Sequence, residues 1–180
     1  MDAIIFIVRT LLQVLLVTVF LLRVLLPIVR ADARNQLTQA VYRITNPLVL
    51  PLRKFIPPVG KLDLASVVAL ILVQAATVYI LWLLSTFQPT FSLPLFLQAV
   101  VRALLSTVIR FYIFAVFLYA LLSFIAPGVY SPAASLLASL CEPLLRPVRR
   151  LLPPIGGWLD LSALFVIIGL QALHIALFGL

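Results

Sequence analysis

The chain has 180 residues, of which 64% are hydrophobic and 10% charged, with a mean hydropathy of +1.25, a net charge of +8 and a pI of about 10.6. A soluble domain carries roughly 25% charged residues, so this composition excludes a chain that meets water over most of its surface. A single cysteine, Cys141, and a single histidine, His174, exclude a disulfide framework or a Cys-rich metal site within one chain.

The first apolar run covers about residues 3–28. Ala31-Asp32-Ala33 superficially resembles a signal cleavage site, but the run is too long for a signal peptide. Asp2 also stands where such a peptide carries cations, so a retained membrane helix is expected. A basic loop follows over 29–61, with Arg30, Arg34, Arg43, Arg53, Lys54 and Lys61. Within it Leu37, Val41 and Ile44 are spaced for one helical face, which predicts a short interfacial helix. Pro47 is expected to end that helix or begin the next element, because proline disrupts a helix interior.

The second apolar run, about 62–86, opens beside Asp63, whose carboxylate is placed to cap free backbone N–H groups and meet the helix dipole. A link without cations leads to a third run over about 95–125, longer than a bilayer requires. The second basic loop, 126–158, contains Arg146, Arg149 and Arg150, and Leu136, Leu140 and Leu144 share a helical face ahead of or beside Pro143. A fourth run over about 159–178 opens with Asp160. Spans in lipid must satisfy their own backbone hydrogen bonds, so all four are expected to be helices. Two-span units put both basic loops on one face, which the positive-inside rule assigns to the cytoplasm, with both termini outside. Topology thus accounts for the positive charge, and no nucleic-acid partner is expected.

The chain also repeats itself. Asn46-Pro-Leu-Val-Leu-Pro-Leu-Arg-Lys-Phe-Ile-Pro-Pro-Val-Gly60 matches Glu142-Pro-Leu-Leu-Arg-Pro-Val-Arg-Arg-Leu-Leu-Pro-Pro-Ile-Gly156 at an offset of 96. The shared positions include Pro47/Pro143, Pro51/Pro147, Arg53/Arg149, Pro57/Pro153, Pro58/Pro154 and Gly60/Gly156. After one inserted residue, Asp63 matches Asp160 and Gln74 matches Gln171. The expected fold is therefore an all-α membrane protein with four transmembrane helices in two parallel-oriented tandem repeats, 1–90 and 91–180, each with an interfacial elbow. In each elbow the Pro-Pro-x-Gly turn redirects the chain into the membrane. Arg53, Lys54, Arg149 and Arg150 lie within reach of anionic lipid headgroups, each worth roughly 1 kcal/mol.

This doubled motif resembles the YggT (YlmG) family of bacterial and plastid membrane proteins. Lys61 stands where a second glycine is usual, as at Gly157. The resemblance implies a bacterial inner-membrane protein with no established enzymatic activity and no cofactor. It also implies association with osmotic tolerance and ion homeostasis, with division-related membrane organisation and, in plastids, with nucleoid distribution and cytochrome assembly.

Catalytic groups are scarce: five acidic residues show no acid–base pair, nucleophile triad, phosphate loop or metal spacing. His174, one helical turn from Gln171, is expected to make an interhelical hydrogen bond. A haem role would need a second axial ligand from elsewhere. Four arginines fall inside spans. Arg9 and Arg102 lie near outer ends, Arg23 lies near the inner end of the first span, and Arg110 is the deepest. A charge at that depth costs at least ~2.5 kcal/mol and is expected to serve a purpose. Gln13, Gln74, Gln171, Ser106 and Thr107 are its candidate partners. Two functional readings result. One is a non-enzymatic membrane organiser acting through its basic elbows on lipid headgroups or cytoplasmic partners. The other is a channel or transporter component, which at four spans favours a homo-oligomer.

Overall fold

The structure, a computed structural model, describes residues 2–57, 63–84, 92–125, 131–151 and 162–179. Every regular element among them is helical. The first span is continuous: α1 (Asp2–Thr10), a π-helical segment (Leu11–Val17) and α2 (Thr18–Ile28). Then come α3 (Gln36–Arg53), α4 (Leu64–Leu84), α5 (Leu93–Ile125), α6 (Pro132–Leu151) and α7 (Ser162–Phe178). Among the described residues three helical stretches are long and apolar enough to cross a membrane: Phe6–Ile28, Leu64–Leu84 and Leu93–Ile125. α7 is apolar but shorter, at 17 residues. Large apolar side chains such as Leu15, Ile71, Leu72, Leu105, Phe114 and Phe117 are exposed on these helices. Lipid tails are an adequate solvent for such faces, so packing depends on close approach and polar contacts instead.

The elbows are more regular than their prolines suggest. α3 runs through Pro47 and Pro51, and α6 through Pro143 and Pro147. The expectation that Pro47 or Pro143 would break the helix is corrected. In each helix the prolines are four residues apart, on one face, and exposed. Each removes one backbone bond, and the freed carbonyls lie on the open side, while the opposite face is held by packing. Both helices begin with a side-chain cap at equivalent repeat positions. Asn35 Oδ1 accepts from Leu37 N at 2.9 Å, and Ser131 Oγ accepts from Ala134 N at 3.1 Å.

The buried face of α3 also differs from the one expected. Thr38, Val41, Thr45 and Val49 are buried, whereas Leu37 and Ile44 are exposed. Apolar spacing misled here because two threonines occupy the inner stripe, and a lipid-adjacent helix tolerates leucine and isoleucine outside. In α6 Leu136 and Leu140 are buried as the spacing indicates, Leu144 is half-buried, and Cys141 and Leu145 complete the inner face.

The chain forms two compact units, residues 1–28 with 41–107, and residues 29–40 with 108–180. In the first, α4 packs along α1, the π-helical segment and α2. Ala65, Ser66 and Ala69 on its buried face allow close backbone approach. In the second, α6 packs on α7. Its core is Ala115, Val116, Cys141, Leu145, Ala163 and Val166.

Candidate functional site

The first unit is organised around a buried cation. Arg23, on α2, is 1% exposed. Its Nη1 donates to Thr45 Oγ1 at 2.9 Å, to Asn46 Oδ1 at 2.9 Å and to the Tyr42 carbonyl at 3.2 Å, all on α3. The guanidinium also lies 4.3 Å from the centre of the Tyr42 ring, a cation–π distance. Thr45 donates onward to Val41 O at 2.7 Å, so its hydroxyl both accepts and gives. These contacts fasten the elbow helix to the C-terminal part of the first apolar helix. Charge-assisted hydrogen bonds of this kind contribute about 1.5–3 kcal/mol each.

The end of α3 is fastened to the start of α4. Arg53 donates through Nε, at 3.1 Å, and through Nη2 to the same Asp63 oxygen, and Ser66 Oγ donates to that oxygen at 2.6 Å. Asp63 occupies the N-cap position of α4, its carbonyl accepting from Ser66 N and Val67 N. Its carboxylate is engaged by Arg53 and Ser66 rather than by backbone N–H groups. Burial pushes the Asp63 carboxyl up, but the hydrogen bonds from Arg53 and Ser66 outweigh it and hold the group below its ordinary value. The same hydrogen bond pushes the Arg53 guanidinium up. Arg53 is thus committed to an ion pair, while neighbouring Lys54 has no partner among the described residues.

The second unit builds the equivalent positions from apolar residues. By the repeat register, Arg23, Thr45 and Ser66 correspond to Tyr119, Cys141 and Ala163. Cys141 and Ala163 are core residues there, with Tyr119 packed against them. Burial pushes the Cys141 thiol up to about 12, so it is an inert packing group. Arg149 donates to Glu142 Oε2 at 3.1 Å, and Arg146 approaches Glu142 Oε1 at 3.5 Å. Asp160, together with Pro58, Gly60, Pro153, Pro154 and Gly156 of the turns, lies outside the described residues. Pro57 is described and exposed.

The polar residues on the apolar helices separate into different settings. Arg110, on α5, is exposed, and its Nε donates to His174 Nε2 on α7 at 3.2 Å. Its partner is therefore the histidine rather than one of the glutamines, Ser106 or Thr107. His174 also packs on Phe178. Gln171 is exposed, whereas its repeat counterpart Gln74 is fully buried. Gln13 donates to Thr107 Oγ1 at 3.5 Å. Among the described residues no three His, Cys, Asp or Glu side chains group as a metal site. Sequence reasoning left Arg23, Tyr42, Thr45, Asn46 and Ser66 out of the site. The available signal was a difference between the copies, with Arg23, Thr45 and Ser66 standing against Tyr119, Cys141 and Ala163; Asn46, opposite Glu142, gave no such signal.

Comparison with known proteins agrees with this doubled architecture. The family model for CCB3/YggT matches residues 1–84 and again 98–180. The chain belongs to the CCB3/YggT family. It is 42% identical over 171 residues to an uncharacterised protein of Pseudomonas aeruginosa, covering 94% of this chain and 85% of that one. An uncharacterised Vibrio alginolyticus protein encoded in the proC 3′ region is 36% identical, covering 95% and 91% of the two chains. The Escherichia coli K12 protein YggT, also uncharacterised, is 31% identical, covering 97% and 88%. No solved structure matches the chain significantly. A CCB3/YggT member with these apolar helices is a membrane protein.

Proposed function

We propose that the chain is a non-enzymatic, multi-pass protein of the bacterial inner membrane that organises the membrane or assists assembly and stress tolerance through its two elbow helices. In this reading α7 is the fourth span, the two repeats share one orientation, the termini face outward and the elbows lie on the cytoplasmic surface. The observation that carries the reading is the outer surface of α3 and α6. Arg43, Lys54 and Arg150 are exposed and have no partner among the described residues. Beside Lys54, in the turn that follows α3, Phe55 is 84% exposed, and Leu48 and Leu50 are exposed on α3. Cations beside unpartnered apolar side chains suit the boundary between anionic headgroups and acyl chains.

The test compares anionic with zwitterionic lipid retention by the purified protein, using native mass spectrometry. Arg43→Gln, Lys54→Gln and Arg150→Gln together remove about three surface charges worth roughly 1 kcal/mol each. Retention of phosphatidylglycerol is expected to fall at least tenfold relative to phosphatidylethanolamine. Unchanged retention sinks the reading. Arg53 and Arg149 are left intact because their ion pairs make them structural.

A second reading, an oligomeric channel or transporter component serving ion homeostasis, is favoured by the buried Gln74 amide and the π-helical segment of the first span. π-Helical turns recur at functional sites. Purified protein in oriented proteoliposomes should then carry an ion current that Gln74→Leu alters, and absence of any flux removes this reading.

A further inference from the structure

Gln74 is 0% exposed, and neither its amide nitrogen nor its amide oxygen has a hydrogen-bond partner among the described residues. It lies on α4, eleven residues after Asp63. Asp63 and Arg23 are electrostatic neighbours, and α4 packs along the whole first span, so the two run antiparallel. Gln13 lies ten residues before Arg23. At ~1.5 Å per residue, Gln74 and Gln13 therefore stand at the same depth, each about 15 Å from the Arg23–Asp63 level. That depth is near the middle of a hydrocarbon layer about 30 Å thick.

Other polar groups of the first unit occur around this level. Gln13 donates to Thr107 Oγ1 on α5, and Thr107 donates to Ala103 O at 2.8 Å. Thr77, on α4 and buried, donates to Val73 O at 2.8 Å. Gln13 belongs to the π-helical segment, where Thr18 Oγ1 donates to the Gln13 carbonyl at 3.3 Å, a five-residue reach. The hydroxyls of Thr77 and Thr107 are spent on backbone carbonyls but can still accept.

A buried amide with neither donor nor acceptor satisfied costs several kcal/mol in hydrocarbon. Chemistry narrows what can satisfy it. The guest must donate to the Gln74 oxygen and accept from its nitrogen. It must also carry no charge, because the carboxylates of these helices, Asp2 and Asp63, each stand eleven residues along the chain from this level and an uncompensated ion at mid-depth is far costlier than the amide. We propose that the first unit holds a buried water site at mid-membrane depth, with Gln74 as its anchor and Gln13, Thr77 and Thr107 as the polar groups at its level. The site is required by neither functional reading above. The second repeat lacks it, since the corresponding Gln171 is exposed.

Water-edited solid-state NMR of the protein in lipid bilayers, labelled with 15N at glutamine side chains and 13C at leucine and valine methyls, tests this. The Gln74 amide signal, assigned by its loss in Gln74→Asn, is expected to receive magnetisation from water severalfold faster than the buried Leu70 and Val73 methyls. Transfer no faster than to those methyls overturns the proposal. Thermal unfolding in the same lipid supplies the second readout. Gln74→Leu is expected to lower or leave unchanged the midpoint, because the wild-type amide is already satisfied. A rise of several degrees would mean that the amide is truly orphaned and would likewise overturn it.

Discussion

Arg53 and Asp63, ten residues apart, are joined through both Nε and Nη2 of the guanidinium to one carboxylate oxygen, closing the elbow of the first repeat. The partners are unequally exposed: the Arg53 side chain is 41% accessible and that of Asp63 8%. This asymmetry makes the two single deletions unequal. Asp63→Asn leaves a half-exposed arginine that water can solvate, and is expected to cost about 1 kcal/mol. Arg53→Met leaves a buried carboxylate with Ser66 as its hydrogen-bond donor and Arg23 as a neighbouring charge, and is expected to cost about 2–3 kcal/mol. Unfolding of both variants in mixed micelles measures the difference, and equal costs would contradict this account.

The same pair sets a pH dependence that removing Arg53 should weaken. In the wild type the Asp63 carboxyl is held below its ordinary value of 3.8, with burial opposing and the Arg53 and Ser66 hydrogen bonds prevailing. The folded state then binds fewer protons than the unfolded state, so this contribution is present above pH 3.8 and is lost as pH falls through the folded value. Arg53→Met removes the strongest opposition to burial and leaves the Ser66 hydrogen bond and the charge of Arg23, so the carboxyl rises from its wild-type value. The variant is therefore expected to lose less stability than wild type as pH falls through the carboxylate range. Parallel unfolding curves of the two proteins at pH 6, 4.5 and 3.5 check the difference.

Arg23 supports a separate prediction. Its Nη1 serves three acceptors on α3, and its plane covers the Tyr42 ring. Arg23→Met keeps the apolar stem but strands Thr45 and Asn46, and is expected to destabilise by about 2–4 kcal/mol. Lysine in its place supplies a charge without the planar fork, so it should recover less than half of that loss. Trypsin sensitivity of α3 in membranes should rise in the same order, wild type below Arg23→Lys below Arg23→Met.

How much of this was legible in the sequence can be judged residue by residue. The apolar runs near 3–28, 62–86, 95–125 and 159–178 correspond to helices at 2–28, 64–84, 93–125 and 162–178, because hydrocarbon leaves the backbone no alternative. The repeat was legible because prolines and arginines recur in register. The path of α3 through Pro47 was not, since a proline's local cost carries no information about which face the tertiary packing holds. Nor was the inward turn of Arg23. A position near a span end predicts snorkelling to water, and only the fold reveals that Tyr42, Thr45 and Asn46 wait closer than the surface does.

Cys141 offers a check on the apolar version of the core. The side chain is fully buried, and burial pushes its thiol up to about 12, so almost no thiolate exists at neutral pH. Maleimide at pH 8 is expected to leave the folded protein unlabelled and to modify it stoichiometrically once sodium dodecyl sulfate unfolds it. Cys141→Ser places a hydroxyl against Val116, Leu145 and Val166 and should cost about 1–3 kcal/mol, whereas Cys141→Ala should cost about 1 kcal/mol.

Arg110 and His174 bring stability and transport into one experiment. The bond between them, at 3.2 Å, is made by an exposed arginine on a helix long and apolar enough to cross a membrane. A lipid-facing guanidinium costs at least ~2.5 kcal/mol on insertion scales, while one hydrogen bond to a neutral imidazole returns only about 1.5–3 kcal/mol. The two nearly cancel, so Arg110→Leu is expected to change stability by less than about 1 kcal/mol. This small effect contrasts with Arg23→Met, although both remove an arginine from a span. It also makes Arg110→Leu a clean probe, because a folded variant with altered ion flux in proteoliposomes would give the transport reading its first positive evidence. A folded variant with wild-type lipid retention and no flux in either protein leaves the elbow surface, with Lys54 and Phe55 at its edge, as the part of the molecule that acts.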